Sequence, residues 1–304
     1  MRKTYTAFLM LLLFLGIGEG KIFVSIPDLE KIAEKISGED VESILPSAID
    51  PHFFSLSYSE IKKLETSDMV ILANSQLIGF EAEIKKICEE KCLDFEDYNA
   101  TILEFPGVGH NLHAYWLLPE NALKIGFVIK NKLSELHPER ASQFTRNYEE
   151  FRETVERAQR NAEKIVSKVR DYDFVAMDPH SAYAISALAL KVAFVFPEEI
   201  PPGGMEIQKL SGLKNCVIVI ADYQEGTKIG EIAEEIAKES GCGFTKVNVM
   251  SDLDFDVQLL ANAVLLANPS FRDSEKNEIL YILSLIAVLE AVALVVIWRS
   301  RRKT

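Results

Sequence analysis

Histidine is scarce in this chain, with five among 304 residues, and so is cysteine, with four. No two histidines form an H-E-x-x-H pair and no two cysteines a C-x-x-C pair. That argues against a helical zinc-hydrolase motif and against a thiolate zinc site. A basic stripe is also missing: the formal net charge is −13, so a phosphate backbone has nothing to bind and nucleic acid is not an expected partner. There is no low-complexity tract and no visible internal repeat, which argues against a solenoid or an array. Cys88, Cys92, Cys216 and Cys242 fit an oxidising exterior without fixing any pairing; Cys216 with Cys242 is one option.

What is present is clearest at the two ends. Arg2 and Lys3 precede an apolar run over 7–17, then the small residues around Gly16, Gly18 and Gly20. A basic start, a run too short to span a bilayer and a small-residue exit make residues 1–20 an expected signal peptide. Residues 279–298 are apolar except for Ser284 and Glu290, and Arg299, Arg301, Arg302 and Lys303 follow. Twenty residues at about 1.5 Å each span about 30 Å, one hydrocarbon core. Basic residues just beyond the span stay in the cytoplasm. The expectation is a single-pass protein of the cell membrane, with its bulk extracytoplasmic, a transmembrane anchor at 279–298 and a cytoplasmic tail at 299–304. No cysteine follows the leader, so a lipid anchor there is not expected and the C-terminal helix takes that role.

Between the ends, short β-type runs (21–25, 41–45, 69–72, 102–105) alternate with helical stretches (29–36, 59–65, 80–91). Such alternation implies a parallel sheet with helices on its faces. A helical segment over 138–170 follows, with Tyr148, Phe151, Val155, Ala158, Ala162, Ile165 and Val169 on one stripe and neither proline nor glycine from 139 onward. After it the alternation resumes, with strands expected at 174–177, 192–196, 217–221 and 245–249 and helices near 182–190, 225–240 and 255–267. The fold class is therefore α/β: an N-terminal lobe (21–137), a linking backbone helix (138–170), a C-terminal lobe (171–268) and a linker (269–278) to the anchor.

Three histidines and one aspartate fall just past expected strands: His52, His113, His180 and Asp252. In open α/β sheets that edge is where ligands bind. Three imidazoles and one carboxylate, two donors from each lobe, suit tetrahedral zinc and accept manganese less selectively. A lone loop histidine is more often an exposed or capping residue, and that reading stands beside the metal one. Asp178 and Asn74 are either acceptors orienting an imidazole or plain turn and cap residues; Tyr115 and Trp116 are assigned to the lobe interior or cleft wall.

The stretch from Ser25, Ile26, Pro27 and Asp28, through Leu45, Pro46, Asp50, Pro51 and His52, to Ser57, Glu60, Ser67, Asp68 and Asn74 resembles the zinc and manganese solute-binding proteins of ABC importers. Trp116 to Ala122, then Leu136, His137, Pro138, Asn147, Tyr148 and Phe151, and the run His180, Ser181, Ala182, Tyr183 continue the resemblance over about residues 21–268. It implies two α/β lobes bridged by one long helix, a metal between them held by His52, His113, His180 and Asp252, and an ABC permease with its ATPase as partner. The chain departs from that pattern in places. Ala114 stands where the family usually has its second histidine, so His113 is taken with a one-residue shift and His110 is the fallback. The stretch between Phe196 and Cys216 is short, and a histidine-rich loop is missing. His180, where manganese receptors tend to carry a carboxylate, favours zinc (Zn2+) over manganese (Mn2+). The expected function is a non-enzymatic metal receptor; a surface adhesin with a structural metal and, behind it, a zinc hydrolase are the alternatives.

Overall fold

The computed structural model describes residues 21–47, 49–197, 210, 213 and 215–271. The expected signal peptide, the anchor at 279–298 with Glu290, and the basic tail lie outside the described residues. Among the described residues no helix is long and apolar enough to cross a membrane.

The first sheet joins β1 (Ile22–Val24), β2 (Glu42–Ser43), β3 (Met69–Ile71) and β4 (Cys92–Leu93), all parallel, in the order β2-β1-β3-β4. Its two central strands are buried at every residue, as a sheet covered on both faces requires. The crossovers are α1 (Pro27–Ser37), α2 (Tyr58–Glu65) and α3 (Gly79–Cys88). Pro27 opens α1 at a position where its missing N–H costs nothing, and Leu29, Ile32, Ala33 and Ile36 are buried on one face. Gly38 ends α1 in the left-handed region at φ 71°, its N–H returning to Glu34 O. Ser57 and Glu60 form a reciprocal capping box at the start of α2.

The second sheet joins β7 (Asp173–Ala176), β8 (Val192–Val195), β9 (Cys216–Ala221) and β10 (Gly243–Val247) in the order β10-β9-β7-β8, again all parallel. Taken in chain order, both sheets run second, first, third, fourth. The helices described over their full length here are α6 (Pro179–Ser186), α7 (Lys228–Ser240) and α8 (Phe255–Ala267). Two more helices, α4 (Pro119–Leu136) and α5 (Ala141–Ile165), lie between the sheets in sequence. Over the expected linking segment the chain is a 3-10 turn (Pro138–Arg140), the 25-residue α5, and a second 3-10 turn (Val166–Val169). Phe144, Phe151, Val155, Ala158 and Ala162 of α5 are buried. The α5 stripe packs on α1, α4 and α8, with Phe151 and Phe255 edge to face at 6.4 Å between centroids.

Two expected elements differ. The run at 102–105 does not enter the parallel sheet: β5 (Glu104–Phe105) and β6 (Gly109–His110) form an antiparallel hairpin. Pro106 and Gly107 turn the chain there, Gly107 at φ +109° with a β-carbon position only 2.1 Å from Val195 O, so only glycine fits. The fourth strand of the first sheet is β4 instead, where the helical stretch was expected to end; α3 stops at Cys88 and a 3-10 turn (Glu89–Lys91) leads into it. The pairs Cys88–Cys92 and Cys216–Cys242 are both disulfides.

Candidate metal centre

The three imidazoles arrive on three separate segments. His52 sits in the 3-10 turn Pro51–Phe53, capped by Asp50, whose Oδ1 accepts from His52 N at 2.9 Å. His113 follows the β5–β6 hairpin rather than a strand of the parallel sheet, because the 106–109 turn intervenes. His180 is the second residue of α6, immediately beyond β7, and is 1% exposed. Ring centroids are 5.6 Å apart for His52 and His113, 6.4 Å for His52 and His180, and 5.1 Å for His113 and His180. Imidazoles bound tetrahedrally to one zinc at Zn–N of about 2.0–2.1 Å would have centroids roughly 5 Å apart. The cluster is therefore at that spacing on one side, and about half an ångström and about one and a half ångströms wider on the others. Among the described residues no three or more His, Cys, Asp or Glu side chains stand close enough together as they are to hold a metal ion.

Hydrogen bonds fix which ring nitrogen carries the proton. Asn111 Nδ2 donates to Pro179 O at 2.7 Å, which makes its Oδ1 the acceptor; that oxygen takes His113 N at 3.0 Å and His113 Nδ1 at 3.1 Å. The lone pair of His113 is thereby left on Nε2. Around His180, Asp178 caps α6 by accepting from Ser181 N at 2.7 Å and Ser181 Oγ at 2.6 Å. Its other oxygen accepts from Tyr223 Oη, and the same hydroxyl lies 3.1 Å from His180 Nδ1. Tyr223 and His180 also meet edge to face, 5.8 Å between centroids.

The first lobe's loop is tied to α6 by further bonds. Tyr183 Oη donates to Asn111 O at 2.7 Å and accepts from Leu103 N at 2.9 Å. Burial pushes the Tyr183 hydroxyl up to about 12, so it remains a donor at any physiological pH. A second tie lies to the side, where Gln258 of α8 donates to Asp28 Oδ1 of α1 at 2.6 Å. Burial, opposed by that amide and reinforced by the nearby Asp222 carboxylate, holds Asp28 up at about 8. Burial raises Asp222 as well, against backbone N–H groups of Val249 and Met250. Below the first sheet, burial lifts Glu81 to about 7, while its oxygens accept from Ala73 N at 3.0 Å and Asn74 N at 2.6 Å.

The other candidate residues separate cleanly. Asp252, the expected fourth donor, is exposed on the loop after β10. His110 is on β6 with its side chain 75% exposed, 3.7 Å from Glu104, so His113 and not the fallback joins the other two. Asn74 is a turn residue whose Oδ1 accepts from Gln76 N at 3.2 Å. Asp178 is both cap and, through Tyr223, partner of a ring. Tyr115 and Trp116 are buried, Tyr115 Oη donating to Ala73 O at 2.6 Å. Sequence reasoning passed over Tyr223; it sits just past β9, the same sheet edge, and that placement was the available signal.

Known proteins share the fold. The family model for the periplasmic zinc-uptake complex component A matches residues 22–257. Zinc-binding protein AdcA of Streptococcus pyogenes serotype M3 is 22% identical, over 78% of this chain and 51% of its own length. Manganese-binding lipoprotein MntA of Bacillus subtilis is 25% identical, over 50% of this chain and 52% of its own. The chain thus spans about half the length of the curated relatives it matches. Among solved structures, a zinc-bound deletion mutant of ZnuA superposes with TM-score 0.70 at 23% identity, covering 84% of this chain and all of that one. FpvC of Pseudomonas aeruginosa in complex with Mn2+ gives 0.70 at 18%, covering 82% and 98%. These structural likenesses show a shared fold of two parallel α/β units. With the family model matching more than half of its length, the chain belongs to the family of the periplasmic zinc-uptake complex component A.

Proposed function

We propose that this protein is an extracytoplasmic receptor that captures a transition-metal ion between its two α/β units and hands it to the permease of an ABC importer. Zinc is the favoured ion and manganese the alternative. The observation that carries this reading is the convergence of His52, His113 and His180, from both units, at ring spacings of 5.1–6.4 Å. An ion would close the two wider spacings towards roughly 5 Å to reach Zn–N distances near 2.0–2.1 Å. Asp252, on a loop of the second unit, is the proposed fourth donor, brought in by movement of that loop. Three borderline imidazoles against one hard carboxylate favour zinc.

The ion is cargo in this reading, and the uptake role named for the family supports a carrier rather than a catalyst that keeps its metal. α5 serves as the rigid link between the receptor's lobes. Anchoring by residues 279–298, with residues 1–20 as leader, is supported by their composition: an apolar run of one bilayer thickness followed by basic residues.

The test is a titration of the purified full chain, stripped of metal, with zinc and manganese separately, beside His52→Ala and His180→Ala. At a hundred times its dissociation constant, an ion should stabilise the fold by about 2.7 kcal/mol. Zinc stabilisation that both variants abolish is the expected result. A chain that neither ion stabilises would overturn the reading.

A further inference from the structure

The hydroxyl of Tyr223 lies between the side chains of His180 and Asp178, and this arrangement is read here on the basis of the receptor function just proposed. We infer that Tyr223 is a positioning residue that fixes His180 in the tautomer with its proton on Nδ1, and so sets the affinity of the site for zinc. The donor count leaves little freedom. A carboxylate only accepts, so the single Tyr223 proton goes to Asp178 Oδ2. The hydroxyl oxygen then has only lone pairs to offer His180 Nδ1 at 3.1 Å, and Nδ1 must carry the ring's hydrogen. Nε2 is left with the lone pair that a metal needs.

The relay is also held from its far end. Asp178 is 2% exposed and anchored to the first turn of α6 through Ser181 N and Oγ, and His180 belongs to that same turn. Tyr223 comes from the turn after β9, a different segment, so its hydroxyl orients the ring relative to the sheet as well as choosing the tautomer. A carboxylate one bond further on strengthens the acceptor and raises the basicity of the ligating nitrogen. His113 obtains the same proton placement from Asn111, a neutral amide. Two of the three rings are therefore preset for coordination through Nε2 by unrelated partners.

The test uses the full chain with 15N-labelled histidine and long-range proton–nitrogen correlation at about pH 8, above the ordinary imidazole range. Five histidines give five ring patterns, and His180→Gln identifies the relevant one. Wild type without metal should show His180 protonated on Nδ1. Tyr223→Phe, which removes one oxygen and keeps the ring packing, should move His180 towards the Nε2-protonated form with the melting temperature nearly unchanged. Zinc affinity should fall about ten- to a hundred-fold in that variant. An unchanged tautomer in Tyr223→Phe overturns the inference, and so does an altered tautomer with zinc affinity within twofold of wild type. A wild-type chain that binds no zinc overturns the receptor reading, and with it the affinity half of this inference, while the ring signals still decide the relay.

Discussion

Asp28→Asn should make the protein's stability less sensitive to pH. Asp28 is 5% exposed, with one oxygen bonded to Gln258, the Trp116 side chain and the Ser251 backbone also acting on its carboxyl, and the Asp222 carboxylate nearby. Its carboxyl is held at about 8, against about 3.9 for an unfolded aspartate. Between those values the folded chain binds one proton that the unfolded chain does not. The stability this group contributes is therefore complete below about pH 4 and is lost as pH rises through the folded value. The slope for one proton is about −1.4 kcal/mol per pH unit. Asparagine mimics the protonated acid, can still accept from Gln258, and does not titrate. Urea unfolding of both proteins at pH 5, 6 and 7 isolates the term, because Glu81 and the histidines are common to both. Relative to wild type, Asp28→Asn should gain about 2–3 kcal/mol between pH 5 and pH 7, whatever its offset at pH 5. Parallel curves would mean that Asp28 is ionised in the folded protein, and the reasoning from burial would fail.

Other perturbations probe the ties around the site. Tyr183→Phe leaves Asn111 O and Leu103 N without the hydroxyl that joins them, and should cost about 2–4 kcal/mol in chemical denaturation. Gly107→Ala would place a β-carbon 2.1 Å from Val195 O and should lower the melting temperature well beyond Gly109→Ala, which meets nothing within 4 Å; equal effects would refute the close approach. Replacing Cys216 and Cys242 by serine opens a link of sequence separation 26 and should cost about 3.5 kcal/mol on chain entropy, read by urea midpoints under oxidising conditions.

The local chemistry of the chain was largely legible. The spacing of Phe151, Val155, Ala158 and Ala162 marked a helix because 3.6-residue periodicity acts within a few residues; the end signals Pro27 with Gly38 and Ser57 with Glu60 are equally local but emerged only with the structure. The apolar runs of β3 and β9 read as strands from their local pattern, and the sheet order places both in central positions. α4 was missed although Pro119 and Glu120 open it and Ala122, Ile125, Ile129 and Leu133 are buried along one face. Gly126 breaks that pattern in sequence; in the structure it stands where a β-carbon would be 3.3 Å from the Phe151 ring, so glycine allows close packing of α4 on α5.

By itself the sequence determined the alternation of strands and helices, which follows from local pattern, and the candidacy of His52, His113, His180 and Asp252. That candidacy rested on residue type and expected strand ends, although the strand expected before His113 is a hairpin. Tertiary structure alone decided that the two sheets share one strand order with no repeat visible in sequence. It also decided that 102–105 turns back as a hairpin and that His113 rather than His110 meets the other rings. The partners of the rings, Asn111 and Tyr223, belong with these. Tyr223 is 43 residues from His180, and a hydrogen bond over that separation is created only when two strands of one sheet bring their ends together.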